Sequence, residues 1–326
     1  GHIFIGDVIN YLHLKNIQIE KLLTKEINHL TYQEFLQLVE KNCDQNDELF
    51  INSDFFYSLK RLNPRITHVE VTLKKGKFYN EMNCFRYDVV LYIDRKPTAT
   101  KKMPILNWQE DTININSIKN LVSANDLDIF CITNIPNQRV AEFDYFEQRN
   151  LAEENWLENY EDYAFRAKNI SINPDMLVTI AKEFNYDTVL VPSQKKPAGY
   201  FDFIAFKTTH DKPHDQYLDY IQRTIINTNL MSYANNPLTA QLNHELISQL
   251  KSSLYERLPS YMVPRTIMVI KEMPLTMNGK IDRKFLAKLV IPIHKKQYIS
   301  PHTVEEMKMI DIWKSILGIS EIGIHD

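Results

Sequence analysis

Residues 258–283 constrain the fold more than any other stretch of the sequence, because prolines divide them into short elements. Pro259 is expected to end the preceding helix, and Pro264 prevents another helix from starting directly after it. Residues 266–270 are β-branched and apolar, which is typical of a buried strand. This stretch therefore predicts a helix end, a short irregular segment and a strand in succession.

The second half of this stretch contains a strong turn signal. Asn278 and Gly279 both tolerate positive φ, so the pair favours a tight turn. Lys280 follows directly, and the turn would hold its ammonium group at the tip of a hairpin. A lysine at such a tip can reach into a neighbouring cleft, whereas the simpler interpretation is an exposed lysine on a hairpin.

These motifs resemble the end of the adenylation domain of nonribosomal peptide synthetases. The matching positions form two blocks at the family's spacing: Leu258, Pro259, Tyr261, Met262, Val263 and Pro264, then Asn278, Gly279, Lys280, Asp282 and Arg283. The resemblance implies that Lys280 is catalytic and stabilises the negative charge that gathers where a carboxylate joins the α-phosphate of ATP. It also implies that the small domain carrying this lysine rotates between half-reactions.

A long helix is predicted upstream of this stretch, starting at Pro237. Leucine recurs at every fourth position and forms one apolar face, which consists of Leu238, Leu242, Leu246, Leu250, Leu254 and Leu258. Such a stripe is far more often part of a core than a partner-binding surface. The helix leads into the lysine hairpin, and the resemblance implies that it is the final helix of the adenylation domain.

A β-hairpin is predicted from two alternating segments, residues 68–73 and residues 87–93. The connection between them carries an amide, a carboxylate and a guanidinium that can orient a ligand, on Asn80, Glu81 and Arg86. On chemistry alone, a solvated loop with a Glu–Arg pair of little energetic consequence is the favoured interpretation.

This connection resembles the late Asn-Glu-Leu-Ser-x-Tyr-Arg-Tyr motif of methyltransferase domains embedded in peptide synthetases. Asn80, Glu81, Arg86 and Tyr87 match that motif. The resemblance implies methyl transfer from S-adenosylmethionine to the amine of a carrier-bound amino acid. The four matching residues would position the methyl acceptor, with Glu81 accepting its proton.

The start of the chain is similar to the strand before the lid helices of the same domains, although Ile9 stands where the family has arginine. Residues 3–5 predict a short buried strand that Gly6-Asp7 closes. The seven glycines are too far apart to form a Gly-x-Gly nucleotide loop. We therefore expect a fragment that retains the last strands of the methyltransferase sheet and lacks the cofactor-binding half.

Further elements are predicted up to residue 208. Helices are expected within residues 8–43, where Thr31 and Glu34 are a plausible cap, and at residues 176–184. Strands are expected at residues 127–133, 188–191 and 200–206. The Pro-Asn-x-Arg-Val sequence at residues 136–140 resembles the tail of the embedded methyltransferases, and Arg139 is assigned no role beyond a structural ion pair.

The C-terminal segment predicts one more helix, which Thr303 and Glu306 open as a capping box. Its apolar face consists of Met309, Ile312, Trp313, Ile316 and Leu317. The segment resembles the first helix of a peptidyl carrier domain. In that family phosphopantetheine is attached to a serine further along, so no residue of this chain is assigned as its attachment site.

Composition excludes several classes of function. The net charge of −3 favours neither nucleic acid nor an anionic membrane as a partner, and no apolar run approaches a membrane span. Three widely spaced cysteines indicate a reducing compartment, so a cytoplasmic location is expected. His210 and His214 lie four residues apart, but Pro213 opposes a helix that would present both to a metal.

The expected fold class is α/β. It comprises the C-terminal part of a Rossmann-like methyltransferase with an α+β tail, a small α+β adenylation C-terminal subdomain and a first carrier-domain helix. The corresponding boundaries are residues 1–208, residues 209–290 and residues 291–326.

The resemblance implies a fragment of a nonribosomal peptide synthetase module that adenylates an amino acid, loads it on a carrier as a thioester and N-methylates it. The parent would use ATP with Mg, S-adenosylmethionine and carrier-bound phosphopantetheine. Its partners would be the amino acid substrate and the large adenylation and carrier domains of the same synthetase. The chain alone is expected to be inactive. The alternatives are a noncatalytic scaffold or interaction protein derived from such a module, and an O- or C-methyltransferase.

Overall fold

The computed structural model divides the chain into two compact units, residues 1–240 (unit 1) and residues 241–326 (unit 2). The residues that it describes are 1–25, 27–28, 30–95, 103–148, 155–194, 197–208, 217–218, 220–222, 229–264, 266–270, 273–276, 279–286, 301 and 303–317. The predicted site residues Asn80, Glu81, Arg86 and Tyr87 belong to unit 1, and Lys280 belongs to unit 2.

The first sheet of unit 1 contains four strands in the order β2-β1-β4-β3. They are β1 (His2–Asn10), β2 (Phe50–Ile51), β3 (Ile66–Leu73) and β4 (Arg86–Ile93). β4 runs antiparallel to both of its neighbours, whereas β2 pairs with the end of β1 in parallel. The predicted hairpin is therefore confirmed as β3 and β4.

β1 differs from the strand predicted at residues 3–5. It continues past Gly6 and Asp7 through a β-bulge, at which Asp7 adopts a φ of 59°. The expectation of a buried strand is wrong for its first half, where Ile3 is 51% and Phe4 63% exposed. Side chains of a strand point to the faces of its sheet, and the described residues leave those of Ile3 and Phe4 largely uncovered.

Three helices follow β1 and cover one end of the first sheet. They are α1 (Leu14–Leu23), α2 (Tyr32–Asp44) and α3 (Asp54–Leu62). The predicted cap at Thr31 is confirmed, because the Glu34 N–H donates to Thr31 Oγ1 while the Glu34 carboxylate accepts from the Thr31 N–H. α2 buries Phe35 and Val39, as its helical spacing requires.

The second sheet of unit 1 has the order β5-β6-β8-β7. Its strands are β5 (Ile105–Asn107), β6 (Ile129–Pro136), β7 (Tyr186–Pro192) and β8 (Tyr200–Lys207). The accompanying helices are α4 (Glu81–Phe85) in the first hairpin and then α5 (Ile115–Ala124), α6 (Asp144–Gln148), α7 (Trp156–Ile170) and α8 (Pro174–Glu183). The strands predicted at 127–133, 188–191 and 200–206 and the helix at 176–184 are confirmed within a few residues.

The apolar core of unit 1 explains why these elements form. Residues 203–206 of strand β8 do not alternate between apolar and polar side chains. Phe203 and Ile204 point to opposite faces of the sheet, and both are fully buried, in different clusters. A third cluster fills the first sheet around Val69, Val71 and Tyr87. The acidic residues Glu158, Glu161 and Asp162 of α7 are exposed to solvent, whereas Trp156 on the same helix is buried.

In the described part of unit 2 the α-helices are α9 (Thr239–Arg257), whose first two residues belong to unit 1, α10 (Arg283–Leu286) and α11 (Val304–Leu317). The predicted helix end before Pro259 and the capping box at Thr303 and Glu306 are confirmed. The prediction that the leucine stripe packs in a core is wrong. Its described side chains are 36 to 59% exposed at five positions, Leu238, Leu242, Leu246, Leu250 and Leu258.

The strand predicted at residues 266–270 is also wrong. These residues form no strand with any described part of the chain, and Met268 and Val269 are exposed. A strand requires a partner for its backbone N–H and C=O groups, and none of the described residues supplies one here. High β-propensity alone does not make a strand.

The lysine hairpin forms locally in unit 2. Leu275 and Ile281 pair as an isolated antiparallel bridge, and Gly279 adopts a φ of 74° between them. The predicted turn is confirmed at Gly279, whereas Asn278 lies outside the described residues. His210, His214 and the segment after Leu317 that resembles a carrier domain also lie outside them.

The chain is thus a mixed α/β protein with two sheets, in agreement with the expected class. None of the helices in the described part of the chain is both long and apolar enough to cross a lipid bilayer.

Candidate functional site

The candidate site lies on the β3–β4 connection, residues 74–85, which ends in the short helix α4. Asn80 is the N-cap of this helix, and its side-chain oxygen accepts the Asn83 N–H at 3.1 Å. The side chain of Asn83 in turn donates to the carbonyl of Phe78 at 2.8 Å. The Asn80 oxygen is therefore engaged in the cap, and its exposed NH2 group is the part that can meet a ligand.

Glu81 and Arg86 form an ion pair across the two ends of α4. The Glu81 Oε1 and Arg86 Nη2 atoms lie 2.5 Å apart, and both side chains are partly exposed. The buried Nε of Arg86 has no hydrogen-bond partner among the described residues. The pair fixes the orientation of a carboxylate at a surface that solvent reaches, which suits the binding of an amine.

Tyr87 makes a different kind of contact from the other three predicted site residues. Its side chain is fully buried, and its hydroxyl donates to the Ile51 carbonyl at 2.7 Å. Burial raises the pKa of this hydroxyl far above its ordinary value. The contact joins β4 to β2 inside the core, and a role of Tyr87 in positioning a substrate stays a prediction.

Further carboxylates surround the Glu81–Arg86 pair. Burial raises the pKa of Glu20, and the neighbouring charges of Glu142 and Glu81 raise it further. Glu142 is paired with Lys168, whose Nζ lies 2.6 Å from its Oε2. These three carboxylates lie among three cations, Arg86, Lys168 and Lys21, so the charge around the pair is mixed.

A second group of charged side chains lies at the β-bulge of β1. The Nζ atom of Lys74 lies 2.5 Å from Asp7 Oδ1 and 2.5 Å from Asp88 Oδ1. The hydrogen bond from Lys74 holds the pKa of the Asp7 carboxyl below its usual range. Asp7 has the left-handed backbone that few non-glycine residues adopt, and its N–H donates to Asp88 Oδ1 at 3.0 Å. Bulges of this kind commonly aim side chains at functional sites.

Arg139 attaches the β3–β4 connection to the second sheet. It is buried, and its guanidinium forms an ion pair with Asp175 and donates to the carbonyls of Lys74, Gly76 and Asn83. The structural ion pair predicted for Arg139 is confirmed. Its three carbonyl partners were not predictable, because they lie more than fifty residues away in the sequence.

The described glycines differ in how much open space adjoins their backbone. A phosphate or nucleoside loop needs glycines beside open space, so that a ligand can approach the backbone. Side chains lie next to three of these glycines, namely Asn83 at Gly76, Phe4 and Asp88 at Gly6, and Asp144 at Gly199, whereas the space beside Gly1 and Gly279 is open. A role of the β3–β4 connection in binding a methyl acceptor stays a prediction.

Lys280 belongs to unit 2. Its side chain is exposed, and its backbone closes the hairpin, since the Thr276 N–H donates to the Lys280 carbonyl at 2.7 Å. The Lys280 N–H is 3.3 Å from Thr276 Oγ1. The ammonium is thus presented at a hairpin tip, as the sequence predicted. Its catalytic role stays a prediction.

Comparisons with known proteins point to one class of enzyme, although no family model matches the chain. It is 28% identical to chondramide synthase of Chondromyces crocatus over an alignment of 343 positions, which covers 100% of this chain and 8% of that protein. It is 27% identical over 348 residues to a nonribosomal peptide synthetase of Aspergillus flavus, covering 98% of this chain and 4% of the relative. It is 28% identical over 346 residues to peramine synthetase of Metarhizium rileyi, covering 99% and 12%.

The chain spans only 4 to 12% of the length of these three relatives. The alignments nevertheless extend over both units, so neither unit is an unrelated addition. Over nearly its whole length, this chain is a homologue of segments of nonribosomal peptide synthetases.

Proposed function

We propose that the chain is a segment of a nonribosomal peptide synthetase module that adenylates an amino acid, loads it on a carrier as a thioester and N-methylates it. In this proposal residues 1–208 belong to a methyltransferase and its tail, residues 209–290 to the small adenylation subdomain, and the remainder leads into a carrier domain. ATP with Mg, S-adenosylmethionine and phosphopantetheine are bound by other parts of the synthetase.

The observation that carries the methylation proposal is the Glu81–Arg86 pair at 2.5 Å, within a motif similar to that of methyltransferases embedded in synthetases. An aminoacyl thioester presents an α-amine, which is cationic until it loses a proton. The partly exposed carboxylate of Glu81 can accept a hydrogen bond from such a group. N-methylation is proposed because the usual acceptor of the methyltransferases that share this motif is the amine of a carrier-bound amino acid.

The proposed roles follow from the contacts. Glu81 accepts a hydrogen bond and then the proton of the acceptor amine, and Arg86 holds that carboxylate in place. The NH2 group of Asn80 is directed at the acceptor's carbonyl, since its oxygen is engaged in the cap. Methyl transfer depends chiefly on alignment of the reacting groups, and these residues supply the alignment on the acceptor's side.

The test is Glu81→Gln in the synthetase module that contains this chain. Methyl transfer from labelled S-adenosylmethionine to the carrier-bound amino acid is expected to fall about 100-fold, while amino acid adenylation is unchanged. Glu158→Gln, which alters an exposed carboxylate on α7, is the matched control and should have no effect. An acceptor with an acetylated amine should not be methylated.

Three results would contradict the proposal. Unchanged methylation by the Glu81→Gln module would remove the residue from the site. Methylation of the acetylated acceptor would indicate an O- or C-methyltransferase. A wild-type module that neither adenylates nor methylates would indicate a noncatalytic scaffold.

A further inference from the structure

We propose that Arg139 and Asp175 are positioning residues for methyl transfer, because they hold the β3–β4 connection in the orientation that its acceptor-binding groups need. This inference rests on the function proposed above. It assigns the second sheet of unit 1 a part in the reaction, although none of its residues is expected to touch the substrate.

The guanidinium of Arg139 binds the connection on both sides of Asn80. Its Nη1 donates to the Lys74 carbonyl at 2.7 Å and to the Asn83 carbonyl at 2.9 Å. Its Nη2 donates to the Gly76 carbonyl at 3.3 Å. Residue 74 is the first of the connection and residue 83 lies within α4, so one side chain fixes both ends of the segment that presents Asn80 and Glu81.

Asp175 completes this attachment and anchors it to α8. Its Oδ2 lies 2.5 Å from Arg139 Nη2, and its Oδ1 accepts the Gly76 N–H at 2.8 Å. The backbone of Asp175 is itself fixed, because its N–H donates to Asn173, the N-cap of α8, at 3.0 Å. The connection is therefore bound to the first turn of a helix that packs in the core of the second sheet.

A neighbouring contact holds the tip of the connection. The Tyr79 hydroxyl lies 2.5 Å from Gln138 Oε1, and Gln138 donates to the carbonyl of Lys168. Lys168 is the residue that pairs with Glu142 beside the candidate site. Gln138, the residue before Arg139, is thus connected through Lys168 to Glu142.

The arrangement requires arginine. The Arg139 side chain is only 2% exposed, and its planar fork satisfies three carbonyls and a carboxylate together. Lysine would keep the positive charge and the pairing with Asp175, but its single ammonium cannot reach carbonyls spread over both ends of the connection. Arg139→Lys therefore removes the hydrogen bonds to the connection while it still neutralises the charge of Asp175.

The first measurement is hydrogen–deuterium exchange on the 326-residue chain, which needs no activity. In Arg139→Lys, amides of residues 74–85 are expected to exchange about tenfold faster, while those of β8 stay unchanged. Arg65→Lys is the matched control, since Arg65 pairs with Asp94 at 2.7 Å on the exposed surface of the same unit. Unchanged exchange of residues 74–85 in Arg139→Lys would overturn the inference.

The second measurement is methyl transfer by the synthetase module. We expect Arg139→Lys to lower kcat about 10- to 100-fold, with the KM for S-adenosylmethionine changed less than about twofold, because only alignment on the acceptor's side is lost. Gly76→Ala is a second variant that leaves Arg139 intact. The added methyl would collide with the Asn83 side chain and displace the connection locally, so kcat should fall while the melting temperature is kept.

The outcomes separate this inference from the proposed function. Faster exchange with an unchanged kcat would overturn the positioning role and leave the methyltransferase proposal standing. If both variants lowered the melting temperature along with kcat, the role of Arg139 would be merely structural, and the positioning role would also be overturned. A wild-type module that does not methylate would overturn the proposed function itself, and the inference with it.

Discussion

The two units of this chain use their apolar residues in opposite ways. All four clusters of buried apolar side chains lie in unit 1, between Val8 and Ile221. In the described part of unit 2 only Val263 and Ile310 are buried, while the leucines of α9 and Trp313 of α11 are exposed. Leucine nevertheless recurs at every fourth position along α9 and its flanks, from Leu238 to Leu258.

The difference shows what an amphipathic pattern does and does not predict. A stripe of apolar residues indicates that a helix has an apolar face, and burial of that face supplies most of its stability in proteins. The stripe does not indicate where the covering residues lie. In unit 1 α2 and α8 are covered by neighbouring elements, whereas the leucines of α9 are covered only in part by the described residues.

The largest predicted effect comes from one matched pair of leucines, each on a helix. Leu177→Ala on α8 removes a fully buried side chain and is expected to lower the free energy of unfolding of unit 1 by about 2–5 kcal/mol. Leu250→Ala on α9 alters a leucine that is 42% exposed and should cost less than about 0.5 kcal/mol.

Hydrogen exchange during urea unfolding, read on peptides from α8 and α9, measures the two effects separately. This matters because a chain of two units need not unfold in one step. If Leu250→Ala lowered the free energy of unfolding by more than about 2 kcal/mol, the contrast between the two units would be wrong, because losses of that size are typical of buried leucines.

The next effect concerns a buried ionisable group, His13. It is 5% exposed beside Phe85, and burial lowers its pKa from 6.5 to about 4. The unfolded chain therefore binds a proton at a higher pH than the folded chain does. The free energy of unfolding of unit 1 should fall as the pH is lowered from about 6.5 to about 4, and this group should contribute a loss of about 2 kcal/mol between pH 8 and pH 5.

Urea unfolding of the wild type and of His13→Gln at the two pH values measures this contribution. The variant has no imidazole at this position, so its loss of stability on acidification should be smaller by that amount. Equal losses in the two proteins would show that His13 is not responsible. The pH dependence should be read on peptides of unit 1, to which His13 belongs.

Much of unit 1 could be predicted from the sequence, because its signals are local. The β3–β4 hairpin follows from alternation, and the Thr31 cap follows from a side chain that satisfies the first backbone N–H groups of α2. Strands β6 and β8 follow from apolar runs of the right length. In unit 2 the same rules predicted a strand at residues 266–270 that does not form, because a strand depends on a partner that β-propensity does not specify.

The candidate site was predicted less completely. The Glu81–Arg86 pair could be expected from residues five apart on one connection, and it is observed. The contacts of Arg139 with the carbonyls of Lys74 and Asn83 join distant segments through the backbone, so no side-chain pattern encodes them. The Asn-Pro-Asp sequence at residues 173–175 signals a helix start, but it does not reveal that Asp175 also pairs with Arg139.

A third prediction compares two tyrosine hydroxyls. Tyr87→Phe removes a buried hydrogen bond to the Ile51 carbonyl and is expected to cost unit 1 about 1 kcal/mol, because that carbonyl is left without its donor. Tyr261→Phe in unit 2 alters a residue that is 80% exposed, and its cost should lie within error. Urea unfolding measures both, and equal costs would contradict the contrast between the units.

The smallest predicted effect on stability is that of Lys280→Ala. The hairpin bonds at this position use the backbone of Lys280, which donates to Thr276 Oγ1 and accepts from the Thr276 N–H, and alanine keeps both. The free energy of unfolding should therefore change by less than about 0.5 kcal/mol. If the exposed ammonium serves adenylation as its motif implies, amino acid-dependent pyrophosphate release by the synthetase module should fall about 100-fold.

Lys284→Ala is the control, because Lys284 is an exposed cation on α10 only four residues away. An equal fall in pyrophosphate release for both variants would indicate a general effect of local charge. A loss of hairpin stability in Lys280→Ala would show that the side chain itself supports the fold. Selective loss of adenylation without loss of stability would instead explain why Lys280 lies on an exposed hairpin. A catalytic group that must move between half-reactions is better placed on an exposed, locally closed hairpin than in a rigid core such as that of unit 1.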